Sequence, residues 1–451
     1  MKVLWVCNIM LPFIAGYLNR EASNKEGWLS GLADVLLDRQ RENQIELSIA
    51  FPIEPKEADF TAKIPVKSGF VAAYGFYEDT ANAHQYEGAL EVRMRRILEQ
   101  AAPDIIHCFG TEYGHTLAVC RAFPSPERIL IGIQGLCQVY AKAYLADLPE
   151  TVAKRVTFRD RLKRDSMLDQ QKKFAVRGRR EVAATQLAGN ITGRTAWDEY
   201  YVRKWNPKAV YYRMNETLRP EFYRGKWPGE GYDPYCIFLS QGDYPIKGLH
   251  YMLLALPRIL ERYPKATIKV AGDCIIKDDS LSGRIKRSAY GYYLKRLLKE
   301  HGIQDKVRFL GRLSAGEMKE QYLSSGLFVC CSAMENSPNS LGEAMLLGMP
   351  CVAADVGGIP SLFTDGQDGI LYQGYRNPEI SFNNRGNVES DIPSSLEGQA
   401  MKLAESVIKI WDDPGEMLKF CGNASLHAKK THDKEANYWK LMEIYAKIDR
   451  Q

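Results

Sequence analysis

Short apolar runs alternate with helical patterns along almost the whole chain. Runs of this length fit strands that are buried on both faces, and their alternation with helices is typical of βαβ units. The predicted strands are VLWVC, ELSIAF, DIIHCF and ILIGIQ in the first half, and CIFLS, TIKVA, VRFLG, LFVCCSA, CVAADV and GILY in the second. The sequence therefore predicts an α/β fold built from doubly wound parallel sheets.

The chain has 451 residues, which is more than one ordinary hydrophobic core accommodates. A Gly- and Pro-rich stretch at residues 219–235 separates the two sets of strands. We therefore expect a first domain at 1–218, a second at 219–430, and an amphipathic helix at 431–451 that packs back on the first. Ligands of open α/β sheets bind at the carboxyl ends of the strands, so a cleft between two facing domains is the expected site.

Composition excludes several classes of protein. The hydrophobic fraction of 45% and the charged fraction of 25% are those of a soluble globular protein, and a net charge of +5 is too small to indicate a nucleic-acid partner. The ten cysteines lie mostly in apolar runs without zinc-site spacing, which favours buried, reduced thiols and a cytoplasmic location. The opening run resembles a signal peptide superficially, but Asn8 and Pro12 interrupt it, so a first core strand is expected.

Two segments do not fit the alternation. Residues 154–180 are predicted to be helical and carry eleven Lys and Arg against three Asp. They form either a solvated helix face or a surface for anionic lipid headgroups or a diphosphate-bearing acceptor. Residues 374–399 are polar and contain Pro, which predicts a surface loop or an inserted lid.

The stretch ENSPNSLGEAMLLGMP, residues 335–350, places Glu335 and Glu343 on either side of a predicted helix start. One interpretation is local, because acidic residues favour the helix dipole there and Asn or Ser caps N–H groups. The other is that the helix N-terminus holds an anion while the carboxylates bind hydroxyl groups beside it.

The segment from this stretch to DGQDGILY resembles the retaining family-4 glycosyltransferases, whose GT-B fold has two Rossmann-like domains facing a central cleft. The two glutamates eight residues apart and the glycines that follow them carry the resemblance. It implies that Glu335 binds hydroxyls of the donor sugar and Glu343 binds the ribose of the nucleotide. The diphosphate would be received by the segment Ser337, Pro338, Asn339, Ser340 and Leu341 through its backbone N–H groups.

Lys247 and Gly248, after the first strand of the second domain, match the family's Lys-Gly pair. The resemblance implies that Lys247 binds the donor diphosphate and stabilises the departing nucleotide. A lysine ammonium is a strong point charge for phosphate. The family's arginine five residues earlier is Gly242 here, and our hypothesis is that Arg194 supplies the missing charge from the first domain, although a structural role for Arg194 remains open.

The first domain matches the family less closely. Gly27 resembles the glycine turn that approaches the donor phosphate, and Gln134 stands where many members have a catalytic-site histidine. An amide can orient a sugar hydroxyl but cannot act as a base. His107 lies in a predicted strand, where a core role is expected, whereas the position of His115 early in a helix is ambiguous.

The resemblance implies a retaining, metal-independent transferase, and we expect Glu335, Lys247, Gln134 and Arg194 to form its catalytic set. The expected donor is a UDP-linked sugar, without further cofactor. The expected acceptor is a saccharide or a lipid-linked saccharide in surface polysaccharide or glycoconjugate biosynthesis. Together with residues 154–180, this favours a peripheral position at the inner face of a membrane. Two alternatives remain: a non-catalytic GT-B relative that binds nucleotide or glycan, and an NAD-type oxidoreductase, against which no GxGxxG follows the first strand.

Overall fold

The structure is a computed structural model that describes residues 1–20, 27–39, 42, 44–54, 57–67, 69–277, 280–377 and 395–451. Within these residues the chain divides into two compact units. Unit 1 comprises Met1–Gln138, Lys173–Arg219 and His432–Gln451, and unit 2 comprises Val139–Lys172 and Pro220–Thr431. Residues 139–172 fall within the first domain expected from the sequence, yet they are part of unit 2.

Unit 1 contains an eight-stranded sheet in the order β3-β4-β2-β1-β5-β6-β7-β8 among the described residues. Its pairs are parallel except for the antiparallel pair β3 and β4. The strands are β1 Lys2–Val6, β2 Glu46–Ile53, β3 Phe60–Val66, β4 Gly69–Tyr77, β5 Ile105–Phe109, β6 Ile129–Gly132, β7 Asn190–Gly193 and β8 Val210–Arg213. Strand β5 is buried along its whole length, as continuous apolar runs predict for central parallel strands.

Unit 2 contains a six-stranded parallel sheet in the order β11-β10-β9-β12-β13-β14 within the described ranges. The strands are β9 Asp233–Leu239, β10 Thr267–Ala271, β11 Val307–Gly311, β12 Ser325–Cys330, β13 Cys351–Asp355 and β14 Ile370–Gln373. All ten strands predicted from apolar runs are present, and the predicted α/β class with doubly wound parallel sheets is confirmed.

Helices connect most of the parallel strands, as right-handed crossovers require. In the described part of the chain they are α1 Pro12–Tyr17, α2 Gly27–Asp38, α3 Ala89–Ala101, α4 Gly114–Ala122, α5 Cys137–Ala143, α6 Glu150–Ala153, α7 Phe158–Lys163, α8 Met167–Leu187, α9 Ala196–Trp205, α10 Leu249–Arg262, α11 Leu281–Lys286, α12 Ala289–Glu300, α13 Ala315–Ser324, α14 Asn339–Leu347, α15 Leu396–Asp412, α16 Pro414–Thr431 and α17 Lys434–Asp449. The predicted basic helix at 154–180 is therefore two separate helices, α7 and the first part of α8. Of the predicted loop at 374–399, residues 378–394 lie outside the described residues.

The C-terminal helix α17 is part of the core of unit 1. Tyr438, Leu441, Ile444, Tyr445 and Ile448 repeat at helical spacing and are buried with strand residues of the unit 1 sheet. The indole N–H of Trp5 donates to the Tyr445 hydroxyl at 2.8 Å, and that oxygen lies 2.8 Å from Nδ1 of His107. Strands β1 and β5 are thus joined to the last helix through one buried hydroxyl.

Candidate functional site

The strand order of unit 2 defines a crevice at one edge of its sheet. Strand β9 pairs with β10 on one side and with β12 on the other, so the connections that leave β9 and β12 turn away from each other. At such a switch point ligands bind outside the carboxyl ends of the two strands. The segments that follow β9 and β12 carry Lys247 and Glu335.

Lys247 and Glu335 form an ion pair. The Lys247 ammonium donates to Oε1 of Glu335 at 2.6 Å, and the Ser332 hydroxyl donates to the same oxygen at 2.8 Å. Burial lowers the pKa of Lys247, but the attraction of Glu335 outweighs it and holds the pKa well above 10.5. Lys247 is therefore a cation at neutral pH, and its charge is balanced by a carboxylate.

Two glycines bring the segments that carry this ion pair close together. Gly248 has φ of +72°, and a Cβ added there would lie 1.9 Å from the carbonyl oxygen of Cys331. Gly357, after β13, has φ of +54°, and a Cβ there would lie 2.0 Å from the carbonyl oxygen of Glu335. Both positions combine a left-handed backbone with a contact that no side chain allows, so glycine is required at each.

The predicted diphosphate segment lies at the start of α14. Pro338 precedes the helix in an extended conformation and provides no side-chain cap, and Glu343 lies in the second turn with its side chain buried. The capping interpretation is therefore wrong for this helix. The N–H groups of Asn339 and Ser340 come before the first intrahelical bond, which the Leu341 N–H makes to the Pro338 carbonyl at 3.0 Å.

Ser337 has a buried hydroxyl group whose hydrogen-bonding capacity is unused in this segment. Its side chain is buried, and its Oγ has no hydrogen-bond partner among the described residues. Buried hydroxyl groups in proteins are normally hydrogen-bonded, so an unpartnered one needs an explanation. The hydroxyl lies beside the start of α14, where N–H groups and the helix dipole favour an anion.

Sequence reasoning missed Tyr140 of helix α5, which fixes the loop between Glu335 and Ser337. The Asn336 N–H donates to the Tyr140 hydroxyl at 3.0 Å. Burial first, and the nearby Glu335 carboxylate second, raise the pKa of Tyr140 well above 10, so the hydroxyl stays neutral. No motif could have identified Tyr140, since it lies almost two hundred residues away in sequence.

Gly242 stands where the resembled family has an arginine, and its surroundings explain the absence of a side chain. A Cβ added to Gly242 would lie 2.7 Å from Leu249 Cδ2 and 2.9 Å from Val270 Cγ1. Both neighbours are buried core residues. Any larger residue at this position would have to displace the packed side chains of Leu249 and Val270.

In unit 1 the structure brings Gln134 and Arg194 together on Glu216, which sequence analysis did not identify. The Gln134 amide donates to Oε1 of Glu216 at 2.7 Å, and Nη1 of Arg194 lies 2.6 Å from Oε2. Burial raises the pKa of Glu216, although Arg194 and Gln134 act in the opposite direction. These residues line a pocket at the carboxyl ends of β6 and β7, together with His107 and Thr192.

The remaining predicted residues of unit 1 are also placed. Gly27 begins α2, where a Cβ would lie 2.2 Å from Arg219 Cγ. His107 is fully buried, and burial lowers its pKa to about 3, so it is a neutral core histidine. His115 is buried in α4 with Nδ1 2.6 Å from the Glu78 carboxylate, while Nε2 lies 3.0 Å from Asn8 Oδ1. Both histidines thus have structural partners.

Searches for metal clusters and membrane spans covered the described residues only. These residues contain no group of three or more His, Cys, Asp or Glu side chains placed to hold a metal ion. None of the helices described has the length and apolar content needed to cross a bilayer.

Comparison with known families gives a match over the segment that carries this site. Residues 221–381 match the family Glycosyl transferases group 1, and the match includes Lys247, Glu335, Ser337 and Glu343. The chain is 25% identical over 365 residues to the alpha-D-kanosaminyltransferase of Streptomyces kanamyceticus, which covers 79% of each chain. Two other curated relatives are matched over only 34% and 30% of their own length.

Solved structures identify the fold of the whole chain. The sucrose-phosphate synthase of Thermosynechococcus elongatus superposes with a TM-score of 0.66 at 15% identity and covers 99% of both chains. The Anabaena protein HepE, solved in complex with UDP-glucose, gives a TM-score of 0.61 at 14% identity over 99% of this chain and 100% of its own. The chain therefore has the GT-B fold, and residues 221–381 in its second half match the family Glycosyl transferases group 1.

Proposed function

We propose that this protein is a retaining glycosyltransferase that moves a sugar from a nucleotide-diphosphate donor to a saccharide acceptor. The observation that carries the proposal is the Lys247–Glu335 ion pair beside the unpartnered Ser337 hydroxyl, at the switch point of the unit 2 sheet. A cation, a carboxylate, a hydroxyl and a helix N-terminus are the groups that a sugar diphosphate requires. The complex of HepE with UDP-glucose makes UDP our proposed nucleotide.

In the proposed reaction the bond between the sugar and the diphosphate breaks, and the acceptor hydroxyl attacks the same face of the sugar. The leaving phosphate oxygen takes the acceptor proton, so no protein base is needed. Lys247, Ser337 and the first N–H groups of α14 stabilise the negative charge that develops on the diphosphate. Because these groups neutralise the diphosphate, we propose that the reaction needs no metal ion and no other cofactor.

We propose that Glu335 positions the donor sugar. Both hydrogen bonds that the described residues make to its carboxylate end on Oε1. A carboxylate has about four acceptor sites, so Oε2 can accept from sugar hydroxyls while Oε1 keeps Lys247 in place. Glu343, buried one helical turn further along α14, is the proposed partner of the ribose.

Roles for the unit 1 residues remain proposals of the same kind. Gln134 would orient a hydroxyl, and Gly27 would allow a close approach to phosphate. The guanidinium of Arg194 would have to leave Glu216 before it could replace the arginine absent at Gly242. For the acceptor we propose a saccharide, lipid-linked, in surface polysaccharide or glycoconjugate biosynthesis.

A thermal-shift and calorimetric titration with UDP, GDP, ADP and NADH, carried out in EDTA, tests this function. UDP at a hundredfold its dissociation constant should add about 2.7 kcal/mol to the stability of the native state. Lys247→Ala should weaken UDP binding at least about tenfold, because a charge-assisted hydrogen bond contributes roughly 1.5–3 kcal/mol. Lys419→Ala, an exposed lysine on α16, is the matched control and should bind as the unmodified protein does.

Two results would contradict the proposal. Stabilisation by NADH alone would favour an oxidoreductase. Binding of UDP without any hydrolysis or transfer of UDP-sugars would identify a non-catalytic GT-B relative.

A further inference from the structure

Two short helices of unit 2 form a surface that combines exposed apolar and basic side chains. Helix α7 and helix α11 lie more than a hundred residues apart in sequence and pack against each other. We call the exposed side chains of residues 154–164 and 281–286 the basic apolar surface. Only the first of these segments falls in the basic stretch seen in the sequence.

Large apolar side chains protrude from this surface. Their exposed fractions are 48% for Val156, 67% for Phe158, 74% for Leu162, 77% for Leu281 and 46% for Ile285. Single exposed apolar residues are common, but a cluster on two adjoining helices marks an interaction site.

Basic side chains surround these apolar groups. The exposed ones are Lys154, Arg155, Arg161, Lys163, Arg164, Arg284 and Lys286. The single acidic residue within the two described segments is Asp160, which is buried and accepts hydrogen bonds from the N–H groups of Thr157 and Ala289. Just outside the segments, Glu150 pairs with Lys154 and Asp165 pairs with Arg159. Among the described residues, the outward-facing charge of the surface is therefore positive.

Two other arginines of residues 154–180 are hydrogen-bonded to backbone carbonyl groups. Nε of Arg177 donates to the carbonyl oxygen of Glu112 at 2.8 Å, and Arg180 donates to the carbonyl oxygens of Ala83 and Gln85. Both arginines belong to unit 1. Arg177 and Arg180 thus bind backbone carbonyls of unit 1, whereas the basic residues of 154–164 are part of the exposed surface of unit 2.

We propose that the basic apolar surface binds the interface of a bilayer that contains anionic phospholipids. Such an interface offers hydrocarbon to Phe158, Leu162 and Leu281, and phosphate groups to the basic residues around them. A second copy of this chain fits less well, because pairing the surface with itself would bring like charges together. This inference does not rest on the proposed transferase activity.

Co-sedimentation of the full-length protein with vesicles tests the proposal. We expect binding to phosphatidylcholine vesicles that contain phosphatidylglycerol, little binding to pure phosphatidylcholine, and release as the salt concentration rises. The double variant R161A/K163A should bind anionic vesicles roughly 25-fold more weakly, since each basic residue contributes about a factor of five. The variant L162S/L281S should lose about tenfold or more through its apolar contacts.

The matched control is L418S/L426S on helix α16, whose leucines are 59% and 68% exposed. It should bind vesicles as the unmodified protein does, and all variants should keep the original unfolding temperature and UDP affinity. Failure of the unmodified protein to bind anionic vesicles at low salt would overturn the proposal. So would equal binding by all variants, or a concentration-dependent dimer that L162S/L281S abolishes in a protein that binds no vesicles.

Discussion

At the scale of single residues, the Lys247–Glu335 pair leads to opposite expectations for its two members. The Glu335 carboxylate neutralises the cation that we propose binds the diphosphate. Removal of this negative charge alone should strengthen the attraction of Lys247 for a phosphate group, since buried or partly buried charges are weakly screened. Glu335→Gln should therefore lower the UDP dissociation constant about fivefold while it abolishes most hydrolysis of a UDP-sugar.

Calorimetry with UDP and an assay of released UDP check this prediction on the same preparation. Glu317→Gln, an exposed glutamate that caps α13, is the control and should change neither quantity. If Glu335→Gln weakens UDP binding as strongly as Lys247→Ala, the carboxylate orients the lysine instead of competing for it, and the charge balance proposed here is wrong.

Residue patterns predicted which residues form the candidate site of unit 2 but not its geometry. The resemblance predicted a donor segment from Glu335, Glu343 and the following glycines, and it predicted Lys247 from the Lys-Gly pair after a strand; their roles remain proposals. That the lysine and the glutamate touch could not be predicted, because sequence carries no distance between two loops. Tyr140 and Glu216 were missed for the same reason, since each acts on residues remote from it in sequence.

At the scale of elements, a titrating contact joins helix α16 to the loop before β14. Nδ1 of His427 lies 2.7 Å from Oδ2 of Asp368, whose side chain is buried and also accepts the Thr364 N–H at 2.7 Å. The hydrogen bond to Asp368 raises the pKa of His427 above 6.5, although partial burial opposes it. The contribution to stability is therefore complete below pH 6.5 and is lost as the pH rises through the folded-state pKa.

Urea unfolding of the unmodified protein and of His427→Gln between pH 5.5 and 8.5 measures this contribution. The variant should be less stable at pH 5.5 by about 0.5–1 kcal/mol, a range appropriate to a pair whose histidine is partly exposed, and the difference should shrink at pH 8.5. A difference that grows with pH would mean that His427 is bound in its neutral form.

Strands could be predicted from the sequence where burial on both faces requires a continuous run of apolar residues. Strands β3, β4, β7 and β8 were missed, and for β3, β7 and β8 the reason can be identified. Strand β3 has polar alternation and contains Pro65, which suits an edge strand but interrupts the pattern. Strand β7 is four residues of Asn, Ile, Thr and Gly, and β8 is an edge strand with exposed ends. The basic stretch at 154–180 correctly predicted helical structure, but the sequence did not show which of its arginines are exposed. Charge alone does not distinguish exposed arginines from those bound to backbone carbonyls.

At the scale of the whole molecule, the last twenty residues complete a unit that begins at the first. Residues 432–451 belong to unit 1, and the Tyr445 hydroxyl satisfies Trp5 on β1 and His107 on β5. Because His107 is neutral, its Nδ1 can accept a hydrogen bond from the Tyr445 hydroxyl, while the indole N–H of Trp5 donates a hydrogen bond to the hydroxyl oxygen. The three groups are fully buried, so no solvent can replace the hydroxyl.

Tyr445→Phe should therefore destabilise unit 1 and leave unit 2 unchanged. Two buried groups lose their partner in a cavity the size of one oxygen atom, which should cost about 2–4 kcal/mol in the free energy of unfolding of unit 1. Calorimetric unfolding with and without UDP separates the two units, because only the transition of the unit that binds UDP moves to higher temperature. Tyr445→Phe should lower the other transition alone. Trp439→Phe, on the exposed face of the same helix, is the control and should lower neither. If Tyr445→Phe lowers the UDP-shifted transition as well, the C-terminal helix stabilises both units, and the assignment of residues 432–451 to unit 1 alone fails.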